Sequence, residues 1–122
     1  MNATSNPLFP RLTLLLAGLL GAAGVALSAM AAHGADPRLL GTAAAACMAQ
    51  APALLALSIG WEKIRTALFS AALIGLGCLL FAGDLVFRTR FGHGLFPMSA
   101  PTGGSMMIAG WIAVGFGAFL RR

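Results

Sequence analysis

Four long apolar stretches, nearly free of charged residues, cover most of this chain of 122 residues. Their predicted bounds are Leu12–Ala32, Leu39–Trp61, Thr66–Phe87 and Gly104–Leu120. Each stretch has about 17 to 23 residues, which as a helix crosses a hydrocarbon layer about 30 Å thick. Because backbone N–H and C=O groups find no water in that layer, such a segment must be helical. The sequence therefore predicts an all-α integral membrane protein with four transmembrane helices.

The composition agrees with a lipid environment. Hydrophobic residues make up 59% of the chain and charged residues only 9%, whereas about 25% of residues are charged in an ordinary soluble domain. The net charge of +5 comes from Lys and Arg at the ends of the apolar stretches, a placement typical of topology signals and headgroup contacts. We therefore expect the lipid bilayer as the main partner and no binding of nucleic acid.

The connections between the stretches are short, so neighbouring helices are expected to run antiparallel in an up-down-up-down bundle of four helices. One transmembrane domain then covers residues 12–122, after a loose N-terminal tail at residues 1–11. Arg11 and the apolar run that follows it also fit a signal peptide, but the run is longer than a signal core, so we interpret it as the first span. Five basic residues against three favour two cytoplasmic termini.

Small residues recur at helical spacing on three of the predicted spans. Small side chains let two helix backbones approach closely, and this is how helices gain contact in lipid. The stripes therefore predict helix packing, either within the bundle or against another protein. The predicted packing residues are Gly18, Ala22, Ala26, Ala71, Gly75, Gly103, Gly104, Gly110, Ala113 and Gly117.

The second span carries three residues with specific expectations. Pro52 removes a backbone hydrogen bond and predicts a kink. Gln50 is a polar amide at depth, expected either to bond a neighbouring helix or to satisfy the carbonyl group that Pro52 frees. Cys47 and, in the third span, Cys78 are predicted at similar depth, where two packed, inert thiols are favoured over a disulfide.

Most polar residues collect at one predicted membrane face, where the first and third spans end and the second and fourth begin. Asp84 stands out, because an ionisable group inside a span is costly and often functional. Arg88 follows four residues later on the same helix face, an order that favours an ion pair closing the helix end; proton or ion handling is the alternative. The candidate cluster is His33, Asp84, Arg88, Arg90, His93 and Thr102, beside Asp36, Arg38 and Ser99.

Two histidines belong to this face. His33 and His93 are of a type that ligates metals or haem, but the sequence defines no pair of ligands. Neither a metal site, nor a cofactor, nor a catalytic residue is therefore predicted. Ser99 or Thr102 is expected to cap the fourth helix, with Pro101 tolerated in its first turn.

Several motifs match a known family. They are Gly21-Ala22-Ala23-Gly24 leading to Ala32-His33-Gly34, Leu80-Phe81-Ala82-Gly83-Asp84-Leu85, Leu95-Phe96-Pro97-Met98, Ala100-Pro101-Thr102-Gly103-Gly104 and Ala109-Gly110-Trp111. On these motifs the chain resembles the transmembrane protein 256-like family of small four-span membrane proteins of unknown function. The resemblance implies a bacterial inner membrane or a mitochondrial-type setting and no known reaction. Members often carry a Tyr-Gln pair and a His in the second span; here Pro52 stands in the His place, so a role that needs this His is not expected.

These observations favour a non-enzymatic accessory or structural subunit, which packs laterally against a larger membrane complex or against itself. Few residues lie outside the spans, so lateral contacts are the natural ones. Two alternatives remain open: a small carrier, or ion or proton pathway, around Asp84, and a haem- or quinone-associated membrane anchor.

Overall fold

The computed structural model of the protein describes residues 7–34 and 36–120. This part of the chain forms four long helices and no strand. The helices are α1 (Leu8–His33), α2 (Pro37–Ile59), α3 (Ala67–Phe91) and α4 (Ser99–Phe116), and a short 3-10 helix at Gly117–Phe119 extends α4. All four are long and apolar enough to cross a membrane. The predicted fold class, an all-α bundle of four transmembrane helices, is confirmed.

The first helix begins earlier than predicted. α1 starts at Leu8, so residues 8–11, which were assigned to a loose tail, are helical. Pro10 does not prevent this, because N–H groups in the first turn of a helix have no acceptor within the helix and a proline there loses nothing. The Arg11 N–H already donates to the Pro7 carbonyl at 3.2 Å. Residues 1–6 of the predicted tail lie outside the described residues.

The third connection is shorter than predicted, because the helices on both sides of it are longer. α3 continues to Phe91 and ends at Gly92, whose left-handed backbone (φ 79°) suits glycine. α4 begins at Ser99 rather than Gly104, and Pro101 lies in its first turn. Neither Ser99 nor Thr102 caps α4: Met98 is the capping residue, and no side chain bonds the helix start. The capping prediction is wrong because both hydroxyl residues lie inside the helix.

The four helices form an inner pair and an outer pair. α2 and α3 pack on each other, α1 packs along α2 with a small contact to α3, and α4 packs along α3. Within residues 7–34 and 36–120, α1 and α4 do not pack along one another. In its most apolar window, α2 has 39% and α3 has 44% of residues buried, against 17% in each of α1 and α4. The inner helices therefore supply most of the core.

Close helix contacts depend on glycines that have no side chain to interfere. A Cβ atom at Gly24 of α1 would collide with the Met48 side chain of α2. A Cβ atom at Gly103 of α4 would lie 2.6 Å from the Gly77 carbonyl oxygen and 2.6 Å from the Phe81 nitrogen of α3. Gly24 and Gly103 thus set the two outer helices directly against the backbones of the inner ones.

The predicted packing residues divide into two groups. Ala71, Gly75, Gly103 and Gly110 are buried between helices, and Gly104, Ala113 and Gly117 are half-buried. Gly18, Ala22 and Ala26 of α1 are exposed, and a Cβ atom at Gly18 would meet nothing within 4 Å. This stripe therefore does not pack within the chain, and the other predicted role, packing against another protein, stays a prediction. α1 turns a neighbouring face inward, whose buried residues are Thr13, Ala17, Leu20 and Gly24, because Gly24 allows the closest approach to α2.

Pro52 and Gln50 lie within an unbroken α2. The Trp111 indole N–H of α4 donates to the Gln50 side-chain oxygen at 2.8 Å. Of the two roles predicted for Gln50, the structure shows the bond to a neighbouring helix. The kink expected at Pro52 stays a prediction.

Candidate functional site

A completely buried carboxylate lies near the end of α3. Asp84 has 0% of its surface exposed, and both of its oxygens accept hydrogen bonds. The Arg88 Nε–H donates to Oδ2 at 2.9 Å. The Leu95 backbone N–H donates to Oδ1 at 2.8 Å, and the Ser99 hydroxyl donates to the same oxygen. We refer to Asp84, Arg88, Leu95 and Ser99 as the Asp84 cluster.

Local sequence explains how these groups meet. Arg88 is one helical turn after Asp84, so the two side chains share a face of α3. Gly92 ends the helix and turns the chain back, and Gly94 then passes beside the carboxylate. A Cβ atom at Gly94 would collide with Asp84 Oδ1 and would lie 2.8 Å from Arg88 Nη2. Only glycine lets the loop bring the Leu95 N–H to the carboxylate.

The Asp84 cluster joins three parts of the chain: the end of α3, the connecting loop and the first turn of α4. A buried charge is tolerated only when it is paired and its remaining hydrogen-bonding sites are filled. Asp84 meets both conditions, and charge-assisted hydrogen bonds are the strong ones. These hydrogen bonds therefore link α3 to the loop and to the start of α4.

The structure brings together only part of the predicted polar cluster. Asp84 and Arg88 form the expected ion pair. Arg90 and His93 lie exposed at the same end of α3, and the His93 ring packs edge-on to Phe87 at 5.5 Å between centroids. The other two members are also exposed, His33 at the end of α1 and Thr102 on the outer side of α4. Within the described residues, the hydrogen bonds to Asp84 come from Arg88, Leu95 and Ser99 alone.

Sequence reasoning missed two members of the site. Leu95 acts through its backbone N–H, which no residue pattern reveals. Gly94 acts by having no side chain beside the carboxylate, which no residue pattern reveals either. Ser99 was placed on the correct membrane face but was expected to be a helix cap.

The thiols of two cysteines are further candidate ligands for a metal ion. Cys47 of α2 and Cys78 of α3 are free and buried. Both thiols, which were predicted at similar depth, lie in the same apolar core. In the part of the chain that the structure describes, no three His, Cys, Asp or Glu side chains come together to hold a metal ion.

A second bond ties α3 to α4 near the opposite membrane face. The Thr66 hydroxyl, just before α3, donates to the Ala113 carbonyl oxygen of α4 at 2.7 Å. Together with the Asp84 cluster at the first turn of α4 and the nearby Trp111–Gln50 bond, it links both ends of α4 to the neighbouring helices.

The outer surface of α1 contains an apolar groove. It encloses about 420 Å³ between α1 and α2, and we call it the α1 groove. Gly18 and Gly21 line it on α1, and Pro52 and Leu55 line it on α2. Of the exposed small residues of α1, Gly18 thus lies at a surface depression.

Fold and site together define a small multi-pass membrane protein in which a buried carboxylate, Asp84, links α3 to the first turn of α4 through the Ser99 hydroxyl. Within that class, the chain belongs to the family described as "Protein of unknown function (DUF423)", whose model matches residues 27–104. The matched range runs from the end of α1 into α4 and contains the whole Asp84 cluster. No curated protein and no solved structure is significantly similar to the chain.

Proposed function

We propose that this protein is a non-enzymatic accessory subunit of a membrane complex, which packs laterally against a larger membrane protein or a second copy of itself. The observation that carries the proposal is the outward stripe of Gly18, Ala22 and Ala26 on α1. In lipid, a helix gains little by covering leucine, since lipid tails are equally apolar. It gains by close backbone contact, for which this stripe is suited and which the chain itself does not use.

The Asp84 cluster supports the same proposal. Both carboxylate oxygens are occupied by donors from the protein, so the cluster is built to hold α3, the loop and α4 in one arrangement. Because α4 is hydrogen-bonded to the inner helices α2 and α3, the remaining outer helix, α1, is the face that we assign to a partner. No step of a chemical reaction is assigned to Asp84.

A second candidate function is a small carrier or a proton or ion pathway at Asp84. The complete burial of this ionisable side chain in a span favours it. It requires Asp84 to exchange its present donors for a transported ion or proton. The direct measurement is flux in proteoliposomes, where a loss of flux in Asp84→Asn with retained folding would support this candidate over the first.

We further propose a bacterial inner membrane with both termini in the cytoplasm. Arg11, Lys63 and Arg65 lie on the proposed inner side, with two further arginines at the C-terminus, and three arginines lie on the outer side. The resemblance to the transmembrane protein 256-like family supports the same location. Reporter fusions at the C-terminus test it: a reporter active only in the periplasm would contradict the assignment.

The accessory role is tested by a matched pair of glycine variants. Gly18 and Gly115 both have open space where a Cβ atom would be placed, so Gly18→Leu and Gly115→Leu should fold equally well. Gly18 lies in the outward stripe of α1, whereas Gly115 lies on α4. We expect Gly18→Leu to lose a partner that co-purifies with the native protein in mild detergent, and Gly115→Leu to keep it.

Two outcomes would contradict the accessory role. One is a strictly monomeric wild-type protein at native expression level. The other is equal retention of the partner by both leucine variants, since the stripe would then not be the contact surface.

A further inference from the structure

Arg90 carries a positive charge that the Asp84 cluster does not use. At this membrane face Arg88 pairs with Asp84. In formal charge, Asp36 offsets Arg38 in the connection from α1 to α2. Arg90 is exposed near the end of α3, and within the described residues it forms no ion pair. This face of the protein therefore keeps one positive charge, that of Arg90, for an external anion.

The length of α3 places Arg90 at the level of the lipid headgroups. The helix has 25 residues and is about 38 Å long at the usual rise per residue, whereas the hydrocarbon layer is about 30 Å thick. Arg90 is the last residue but one of this helix. A long basic side chain at such a position keeps its charged end in the headgroup layer. The phosphate groups of lipids are the anions found at that depth.

An apolar groove runs along α3 towards Arg90. It encloses about 380 Å³ between α1 and α3, and we call it the α3 groove. Leu79 and Val86 line it on α3, and these two residues share a helix face because they are seven positions apart. Arg90 follows Val86 by four residues, so it lies on the same face, one turn beyond the groove. The groove thus has a positive charge at its headgroup end.

The surroundings of the α3 groove indicate what occupies it. Leu79 is 46% exposed, so the groove opens sideways to the bilayer. Its lining residues are almost all apolar, which suits a hydrocarbon chain and excludes a hydrated ion. A free phosphate ion would contact Arg90 alone and make no use of the groove. A phospholipid of the bilayer combines an apolar chain with a charged headgroup at the matching depth.

We propose that the α3 groove and Arg90 form a binding site for one anionic phospholipid. An acyl chain lies in the groove, and the Arg90 guanidinium donates hydrogen bonds to the phosphate group. Basic sites between transmembrane helices bind anionic headgroups in this way. A zwitterionic lipid is held less tightly, because its own positive charge offsets that of its phosphate. The site needs no protein partner on α1, so it does not depend on the accessory role.

Headgroup selectivity is measured by native mass spectrometry on the full chain in mild detergent. Phosphatidylglycerol and phosphatidylcholine with identical acyl chains are added in equal amounts, and the bound lipids are counted. We expect the wild-type protein to prefer phosphatidylglycerol, and Arg90→Gln to reduce that preference about five-fold, the effect of one basic residue beside an anionic surface. Arg38→Gln, which removes a charge at the same membrane face, should keep the preference. No preference in the wild-type protein, or an equal loss in both variants, would overturn the proposal.

The acyl-chain part of the site is tested by two tryptophan variants on α3. Leu79 lines the α3 groove, whereas Leu76 lines a different groove, and both side chains are about half exposed. Leu79→Trp should lower the occupancy of bound phosphatidylglycerol several-fold, and Leu76→Trp should leave it unchanged. Helical circular dichroism reports whether each variant is folded. Wild-type occupancy in a folded Leu79→Trp variant would overturn the proposal, since Arg90 alone would then hold the anion.

Discussion

The two outer helices, α1 and α4, are buried to the same small extent but are attached in different ways. α4 is held to its neighbours by the Ser99, Trp111 and Ala113 hydrogen bonds. α1 packs on α2 through Gly24, and its Ser28 hydroxyl makes only a long contact of 3.8 Å to the Met48 sulfur. Directional bonds fix the register of a helix, whereas a glycine contact fixes mainly its distance. The difference supports our proposal that α4 belongs to a rigid unit and that a partner packs against α1.

The strongest way to break the attachment of α4 is to remove Asp84. We expect Asp84→Ala to lower the free energy of unfolding by about 3 kcal/mol, the lower end for a broken buried ion pair, because Arg88 is 41% exposed and can be solvated. The measurement is titration with sodium dodecyl sulfate in mild detergent micelles. Arg90→Ala, at the same end of α3 but exposed, is the control. An equal loss in both variants would show that Asp84 does not hold α4.

A smaller loss of stability is expected where the loop passes the carboxylate. Gly94→Ala should lower the free energy of unfolding by about 2 kcal/mol, since the added methyl group meets both Asp84 and Arg88 and the loop must move. Gly115→Ala, which meets nothing within 4 Å, should be neutral or slightly stabilising. The same detergent titration measures both. A neutral Gly94→Ala would mean that the loop does not depend on this approach.

On the α1 side, Gly24→Ala tests the glycine contact. We expect the free energy of unfolding to fall by about 1 kcal/mol, at the low end for overpacking, because the side chain of Met48 can rotate away. Gly18→Ala on the outward stripe should leave the free energy of unfolding unchanged. If the two alanine variants were equally stable, the inward face of α1 would be assigned incorrectly.

The smallest effect on the free energy of unfolding is expected at the bond between Trp111 of α4 and Gln50 of α2. Trp111→Phe removes the hydrogen bond to Gln50 and keeps an aromatic ring, so the loss should be about 0.6 kcal/mol, the average for such bonds between membrane helices. Gln50→Leu in the same background should then add little, because the two residues act as one pair. Fully additive losses would contradict a shared bond.

The sequence predicts those features of the fold that depend on neighbouring residues. Span length and hydropathy locate all four helices, and the spacing of Asp84 and Arg88 predicts their ion pair. Helix ends were less well predicted: the apolar stretches begin at Leu12 and Gly104, whereas α1 begins at Leu8 and α4 at Ser99, because a first turn also accepts proline and polar residues.

Features that depend on distant residues could not be predicted in the same way. Leu95 and Ser99 reach Asp84 only because Gly92 and Gly94 turn the loop back, and the path of a loop is not encoded in a periodic pattern. The inward face of α1 could not be chosen from the sequence either, because the Gly18 stripe and the face that contains Gly24 both carry small residues. The structure places Gly24 against Met48 of α2.

The most direct test of a lateral partner on α1 is photo-cross-linking in native membranes. A photoreactive amino acid is placed at Ala22 on α1 in one variant and at Ile112 on α4 in another; both side chains are exposed. We expect a defined protein adduct from position 22 and only lipid adducts from position 112. Only lipid adducts from both positions, or the same protein adducts from both, would contradict it.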